Sequence, residues 1–537
     1  MRRSMGGALA LALGLIGAVS CTYTPSPPRT TPATASGPSP WSLRVTAALE
    51  KAGANRAELE RVLTRYRDAG DDLKFRAAAF LIENMEGHSF AELAFYDSTH
   101  TAVPFDVLAY PDFTTLEAAF DTLEAAHGPL DYDARAVFKD LEMMKADLLI
   151  ENLDLAFRAW REKPWARQLS FDDFCAYVLP YRGSNEPLES WRRFFLARYA
   201  NLVTRMQDPS DPIEASVLIN RDLNRWFRFD PRYYYHPTDQ GLSEMLKVKL
   251  GRCEDMTNLT IFAMRANGLG VTSDYTPFWA DASNNHAWNA ILDRQGKVIM
   301  FMGAEADPGS YRLSGRAAKV YRKTFALQRD NLAFRKSDDE KVPGWLGGKN
   351  YSDVTAAYQP VANVTLALQK AVPDSVHHAY ICVFNTGEWQ PIHWAPIEDG
   401  RATFTDMGMN IAYLPAFFVH QKVVPAAPAF ILQSDGIVRP LVARPGTSMR
   451  LRLVSTTRRA QVESTDGVQP TFLEPGREYE LFYWKDEWVT AGKALAGTEP
   501  LEFADVPEGV LYWLLPTGSS RDEERIFTYE SNAQVWW

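Results

Sequence analysis

Cysteine is scarce in this chain, with four residues in 537, at positions 21, 175, 253 and 382. They lie far apart and no C-x-x-C spacing occurs, which argues against zinc ligation and a dense disulfide framework. No block of consecutive Lys and Arg is present and the formal net charge is −10, so nucleic acid is not expected as a main partner. No run of eighteen apolar residues exists, so no membrane-spanning helix is expected. No EF-hand-like loop is found, and no cofactor is expected. The length exceeds what one hydrophobic core supports, which implies three to five domains.

The first forty residues form no domain. Arg2 and Arg3 precede a short apolar stretch from Ala8 to Val19, followed by Ala18-Val19-Ser20-Cys21. This resembles the bacterial lipobox, in which the cysteine is lipidated and becomes the first mature residue. An ordinary signal peptide is the alternative. Residues 1–21 are therefore read as a lipoprotein signal peptide with lipidation at Cys21, and 22–40, rich in Pro, Thr and Ser, as an extended tether. The expected location is the cell envelope, lipid-anchored, at the outer membrane if the host is Gram-negative and otherwise extracytoplasmic. Three cysteines then remain, so at least one thiol stays unpaired.

Residues 41–235 carry helical patterns. Phe138, Leu141, Met144, Leu148, Leu149, Leu153 and Phe157 recur at helical spacing, as do Leu188, Trp191, Phe195, Ala197 and Leu202. Cys175 falls on another such segment, where a small buried hydrophobe is preferred over a nucleophile. Residues 236–354 change character: a helix over 241–249, a helix from Cys253 to about Asn267, strand-like Val271 to Trp279, and a hairpin from His286 to Met302 turning at Asp293–Gly296. From 355 onward strands dominate, and the sequence repeats at an offset of 99. Tyr380, Glu388, Trp389, Phe404, Asp406 and Tyr413 match Tyr479, Glu487, Trp488, Phe503, Asp505 and Tyr512. This predicts two β-sandwich-like modules, 355–440 and 441–537. A scaffold role for their aromatics is preferred. The alternative is glycan or peptidoglycan binding through exposed Trp394, Trp484, Trp536 and Trp537.

The chemistry concentrates on two residues. Cys253 is predicted at a helix start, where unpaired N–H groups and the helix dipole favour a thiolate. Glu254 and Asp255 offset part of that effect, so a protonated histidine has to supply much of it. His286 opens a strand in His286-Ala287-Trp288-Asn289. Gly251-Arg252-Cys253-Glu254-Asp255, Arg265-Ala266-Asn267-Gly268-Leu269-Gly270-Val271 and His286-Ala287-Trp288 resemble, in order and spacing, the motif blocks of the transglutaminase-like superfamily. Leu81–Met85 and Leu179–Glu189 look similar to bacterial lipoproteins carrying that domain. The resemblance implies an α+β multidomain chain: a helical N-terminal region, a transglutaminase-like (papain-like) core over 236–354 and the two sandwich-like modules.

The resemblance also implies a third catalytic group, an Asp about sixteen residues after the histidine, where this chain has Met302. If Asp293 and Gly296 flank the hairpin turn, paired residue numbers sum to 589 and His286 faces Gly303. Asp293 is then roughly 20 Å away, at about 3.3 Å per residue. Glu305 is the preferred substitute and Asp307 the second, with Asn284, Asn285 and Asn289 as amide alternatives. Gln240, Trp279 and Trp288 are candidates for substrate contact or the oxyanion hole, with structural roles favoured for Gln240 and Trp279. Tyr233-Tyr234-Tyr235-His236 forms either a substrate-facing wall or core. The implied function is thiol-dependent acyl transfer on amide or peptide bonds, hydrolysis ahead of transamidation, with a protein, peptide or cell-wall peptide as substrate. The alternatives are a non-catalytic surface binding protein and cleavage of a glycan–amide bond.

Overall fold

The structure is a computed structural model and describes residues 41–236, 238–458, 471–519, 521 and 523–537. Cys21, the signal segment and the tether lie outside the described residues. Helices α1 (Leu43–Lys51), α2 (Arg56–Asp68), α3 (Asp72–Asn84) and α5 (Ala146–Glu162) build the N-terminal bundle around Leu49, Leu63, Leu81, Leu149 and Phe157. Side-chain caps start two of them: Ser42 accepts from the Val45 amide and Asp71 from the Lys74 amide.

This region is not wholly helical. Between α3 and α5 the chain forms an antiparallel sheet in the order β2-β1-β3 (Ala102–Val103, Ser89–Tyr96, Asp131–Lys139) with helix α4 (Phe113–His127). The expected helical run from Phe138 is thereby corrected. Phe138 sits on β3 opposite Phe90 and stacks on it, a single helical turn follows at Asp140–Met143, and the long helix begins at Ala146. Residues 138 and 141 straddle a strand end, where spacing of three mimics one helical turn. The run from Leu188 to Leu202 is likewise helical only over α6 (Arg192–Arg198). Ahead of it, side chains take up the backbone groups. The Glu186 carboxylate accepts from the Gly183 and Ser184 amides, and the Arg192 guanidinium donates to the carbonyls of Val178, Leu179 and Pro180.

The central core is built around helix α9 (Cys253–Ala266), every residue of which is buried. It packs on α6 and α7 (Pro212–Leu223) and against a five-stranded antiparallel sheet. That sheet runs β10-β9-β6-β7-β8: Tyr351–Asp353, Tyr321–Lys323, Val271–Thr276, His286–Leu292 and Val298–Phe301. Helix α8 (Leu242–Val248) and a parallel pair, β4 (Arg228–Phe229) with β5 (Leu250–Gly251), lead into α9. The buried guanidinium of Arg265 ties its end to the carbonyls of Tyr177, Arg182 and Val271.

The C-terminal strands repeat one topology twice. In the first module β12 (His378–Asn385) pairs β13 (Glu388–Glu398) and β15 (Ile411–Val419), β11 (Val361–Ala367) pairs β14 (Arg401–Gly408), and β15 also carries β16 (Lys422–Pro425) and β17 (Phe430–Leu432), with β18 (Val438–Pro440) at the edge. In the second, β20 (Glu478–Trp484) pairs β21 (Trp488–Leu495) and β23 (Tyr512–Pro516), β19 (Ser448–Leu453) pairs β22 (Leu501–Pro507), and β24 (Ile526–Glu530) and β25 (Ala533–Trp536) follow. The repeat extends to detail. Asp406 and Asp505 both take left-handed backbone, and the Tyr413 and Tyr512 hydroxyls donate five residues back, to Gly408 and Pro507. Trp484 is buried between the modules, and Trp394, Trp536 and Trp537 pack half-buried against the sheet cores. Among the described residues no helix is long and apolar enough to cross a membrane.

Candidate active site

Cys253 is the first residue of α9 and 7% exposed. The carboxylate of Asp255 brackets the helix start, accepting from the backbone amides of Arg252 at 2.9 Å and Gln240 at 3.1 Å. The buried Arg252 guanidinium pairs with Asp239 at 2.6 Å. These contacts hold the turn that presents the thiol to β7. The Cys253 S–H donates to Glu254 Oε2 at 3.3 Å. Burial pushes the thiol well above its ordinary pKa, and the Glu254 carboxylate pushes it further. The Arg252 charge and the Ala287 backbone N–H pull the other way.

His286 is the first residue of β7, opposite Thr276 on β6. Its Nε2 is 2.6 Å from the Tyr311 hydroxyl, the ring's one hydrogen bond among the described residues. Trp279 stacks over it at 6.1 Å between ring centroids, with Trp288 on another side at 5.9 Å. Burial holds the imidazole below its ordinary pKa and Glu254 draws it partly back. The protonated histidine expected to stabilise a thiolate is thus absent from this arrangement. A neutral imidazole and a neutral thiol face a buried carboxylate.

The expected hairpin turn is corrected by one residue. Leu292 pairs with Val298 and Asn289 with Phe301, so paired numbers sum to 590. Gly296, at φ +74°, adds a residue to the loop, and the Asp293 amide bonds to the Lys297 carbonyl. β8 ends at Phe301, and Met302 and Ala306 close a tight turn with Ala304 in left-handed backbone. That turn is tied to α7: Asn220 bonds Ala304 and Ala306, and Arg221 pairs with Asp307 at 2.7 Å. Glu305 is exposed. Neither Glu305 nor Asp307 reaches the imidazole; Glu305 influences only Tyr311, whose hydroxyl is pushed up to about 12 mainly by burial. Asn289 is committed to the carbonyls of Thr257 and Thr272, and the Asn284 carbonyl faces Asn385.

Gln240 is fully buried and its amide nitrogen donates to the Leu250 carbonyl. The Trp288 indole N–H is likewise occupied, by the Tyr358 hydroxyl at 3.1 Å. Tyr233 and Tyr235 are core, whereas Tyr234 lies near both Cys253 and Glu254. Two residues around the thiol were not legible as its neighbours: Tyr311, in an irregular segment without a motif, and Lys323 on β9, whose ammonium is 4.0 Å from Glu254 Oε1. That oxygen is buried and has no hydrogen-bond partner.

Cys175 and Cys382 are free and buried, and burial alone lifts the Cys382 thiol. Burial is also the main cause that pushes Cys175 up to about 12. Among the described residues no cluster of three or more His, Cys, Asp or Glu side chains is arranged to hold a metal ion. No curated protein matches this chain. Residues 200–300 match the family model of the transglutaminase-like superfamily, a span that contains α7, the whole of α9, Cys253 and His286. This part of the chain is a transglutaminase-like domain.

Proposed function

We propose that the chain carries out thiol-dependent acyl transfer on an amide or peptide bond, with Cys253 as nucleophile and His286 as proton carrier. The observation that carries this reading is the pairing of a buried thiol at the start of a buried helix with a histidine at the start of the adjacent strand, inside the matched domain. The Cys253 sulfur attacks the carbonyl carbon while its proton passes to His286, which returns it to the leaving amine. Water then attacks the thioester, releasing the acid and regenerating the thiol, so hydrolysis is the reaction. Tyr311 holds Nε2 and leaves Nδ1 as the nitrogen available for proton transfer. Tyr311 thus takes the orienting place that a carboxylate was expected to fill. The Ala287 N–H, which favours negative charge on the sulfur, suits the charge that builds there.

The substrate class is a peptide or protein, including cell-wall peptide, reached from the envelope by a chain anchored through lipidated Cys21. A second reading, a non-catalytic surface protein, draws on two observations. No carboxylate pairs with His286 among the described residues, and the thiol rests protonated on Glu254. A peptidyl acyl probe directed at thiols separates the two. Wild-type protein under reducing conditions should be labelled, and Cys253→Ala and His286→Ala should not. Unlabelled wild type rejects the enzyme and leaves the binding protein.

A further inference from the structure

The loop between β6 and β7, residues 277–285, leads into His286 at the start of β7. The Trp279 amide bonds the Asn284 carbonyl and the Ala280 amide bonds the Arg316 carbonyl. Several of the loop's carbonyls accept from the C-terminal modules. Asn385, at the end of β12 and 1% exposed, donates from Nδ2 to the carbonyls of Trp279 and Ala282 at 2.9 Å and Asn284 at 3.0 Å. The Thr386 hydroxyl donates to Asn385 Oδ1 at 2.7 Å, which sets the amide so that its N–H groups face the loop. Arg525, from the second module and 4% exposed, donates to the Ala280 carbonyl at 2.6 Å and the Phe384 carbonyl at 2.7 Å. The Asp281 carboxylate accepts from the Arg316 amide and pairs with Arg458 at 3.0 Å.

The module fold does not itself demand Asn385. At the repeat offset of 99 the second module has Trp484, packed between the modules. An amide at this end of β12 serves the loop. The loop's Trp279 in turn stacks on the His286 ring, and Asn284 is two residues from it.

We infer that Asn385 and Arg525 are positioning residues for His286, so that the two C-terminal modules act as a clamp on the loop that sets the imidazole. The inference rests on the proposed role of His286, but its first measurement does not. The groups that face the imidazole are Glu254 from α9, Tyr311 from the segment after β8, and the tryptophans 279 and 288. None of them belongs to a module, so a module substitution that leaves the charge unchanged reaches His286 only through the loop.

The test uses the full chain with ¹³C-labelled histidine, the His286 signal being assigned by its loss in His286→Gln. Asn385→Ala removes the clamp, and Asn385→Leu keeps the size while removing the donors, neither one changing the charge. Arg450→Ala, in an exposed ion pair with Glu502, serves as a module variant away from the loop. In wild type and Arg450→Ala, His286 should titrate below its ordinary range. In the Asn385 variants and Arg525→Lys, with melting still cooperative, its titration should move toward about 6.5, the ordinary value. Acyl-probe labelling at Cys253 should fall at least tenfold in the same variants. A shifted His286 in a protein whose wild type is never labelled upholds the clamp and rejects the thiol enzyme. A His286 titration unchanged in the folded Asn385 and Arg525 variants overturns the clamp, whatever the labelling shows.

Discussion

Replacing Glu254 with Gln removes one negative charge from beside the sulfur while keeping the side chain's shape. The carboxylate oxygen is 3.3 Å from Cys253 Sγ and both groups are buried, so their charges interact strongly. At an effective dielectric constant of 20, two unit charges at that distance repel by about 5 kcal/mol. Lys323, 4.0 Å from the other oxygen, offsets part of this, and the Gln amide oxygen still accepts the S–H, leaving on the order of 1–3 kcal/mol. That corresponds to roughly a 5- to 150-fold larger thiolate fraction at a fixed pH below the thiol's titration. A less basic thiolate is also less nucleophilic, by about half the gain on a logarithmic scale, so alkylation should speed up roughly 2- to 12-fold. The assay is the pseudo-first-order rate of iodoacetamide modification of Cys253 at neutral pH, read by mass spectrometry of the peptide, with Cys253→Ala reporting Cys175 and Cys382. Equal or slower modification of folded Glu254→Gln refutes the placement of this carboxylate as the brake on the thiol.

In wild type the same alkylation rate should climb tenfold per pH unit from about 6 to beyond 8.5, because a raised thiol and a lowered imidazole give no low-pH thiolate; a plateau between pH 5 and 8 would reveal an ion pair instead. Tyr311→Phe deletes the sole hydrogen bond to the His286 ring among the described residues, worth about 1 kcal/mol, and should lower acyl-probe labelling about fivefold without changing the melting temperature by more than a few degrees. Arg182→Met strands the buried Asp140 carboxylate, which also accepts from Tyr181, and should destabilise the N-terminal bundle by about 3–5 kcal/mol in urea titrations. A methyl on Gly303 would come within 2.3 Å of Thr260 Oγ1 and 2.4 Å of Asn289 Oδ1, so Gly303→Ala should cost about 1–3 kcal/mol of stability by overpacking.

What could be read from the chain was what local rules govern. Cys253 opens a helix because Asp255, three residues after Arg252, caps it, and His286 opens a strand that the turn residues after it mark as one arm of a hairpin. The duplicated modules were legible because recurring aromatics at fixed spacing place the same pairings and the same tyrosine corners twice. The reading failed where local pattern is ambiguous. Phe138 satisfies helical spacing only by crossing a strand end, and one extra loop residue at Gly296 moved the hairpin register enough to misplace Gly303, Glu305 and Asp307.

The sequence by itself determined the nucleophile candidate, the histidine candidate, the elements that start at each and the repeated architecture behind them. Tertiary structure alone decided what surrounds them. Tyr311 meets His286 across 25 residues that include β7 and β8, Lys323 nears Glu254 from another strand, and Asn385 bonds a loop a hundred residues earlier. Such contacts follow from how distant segments pack, which no local pattern encodes. The same holds for protonation: a helix start favours a thiolate, but burial beside Glu254 outweighs it, because both the desolvation and the charge come from the folded surroundings.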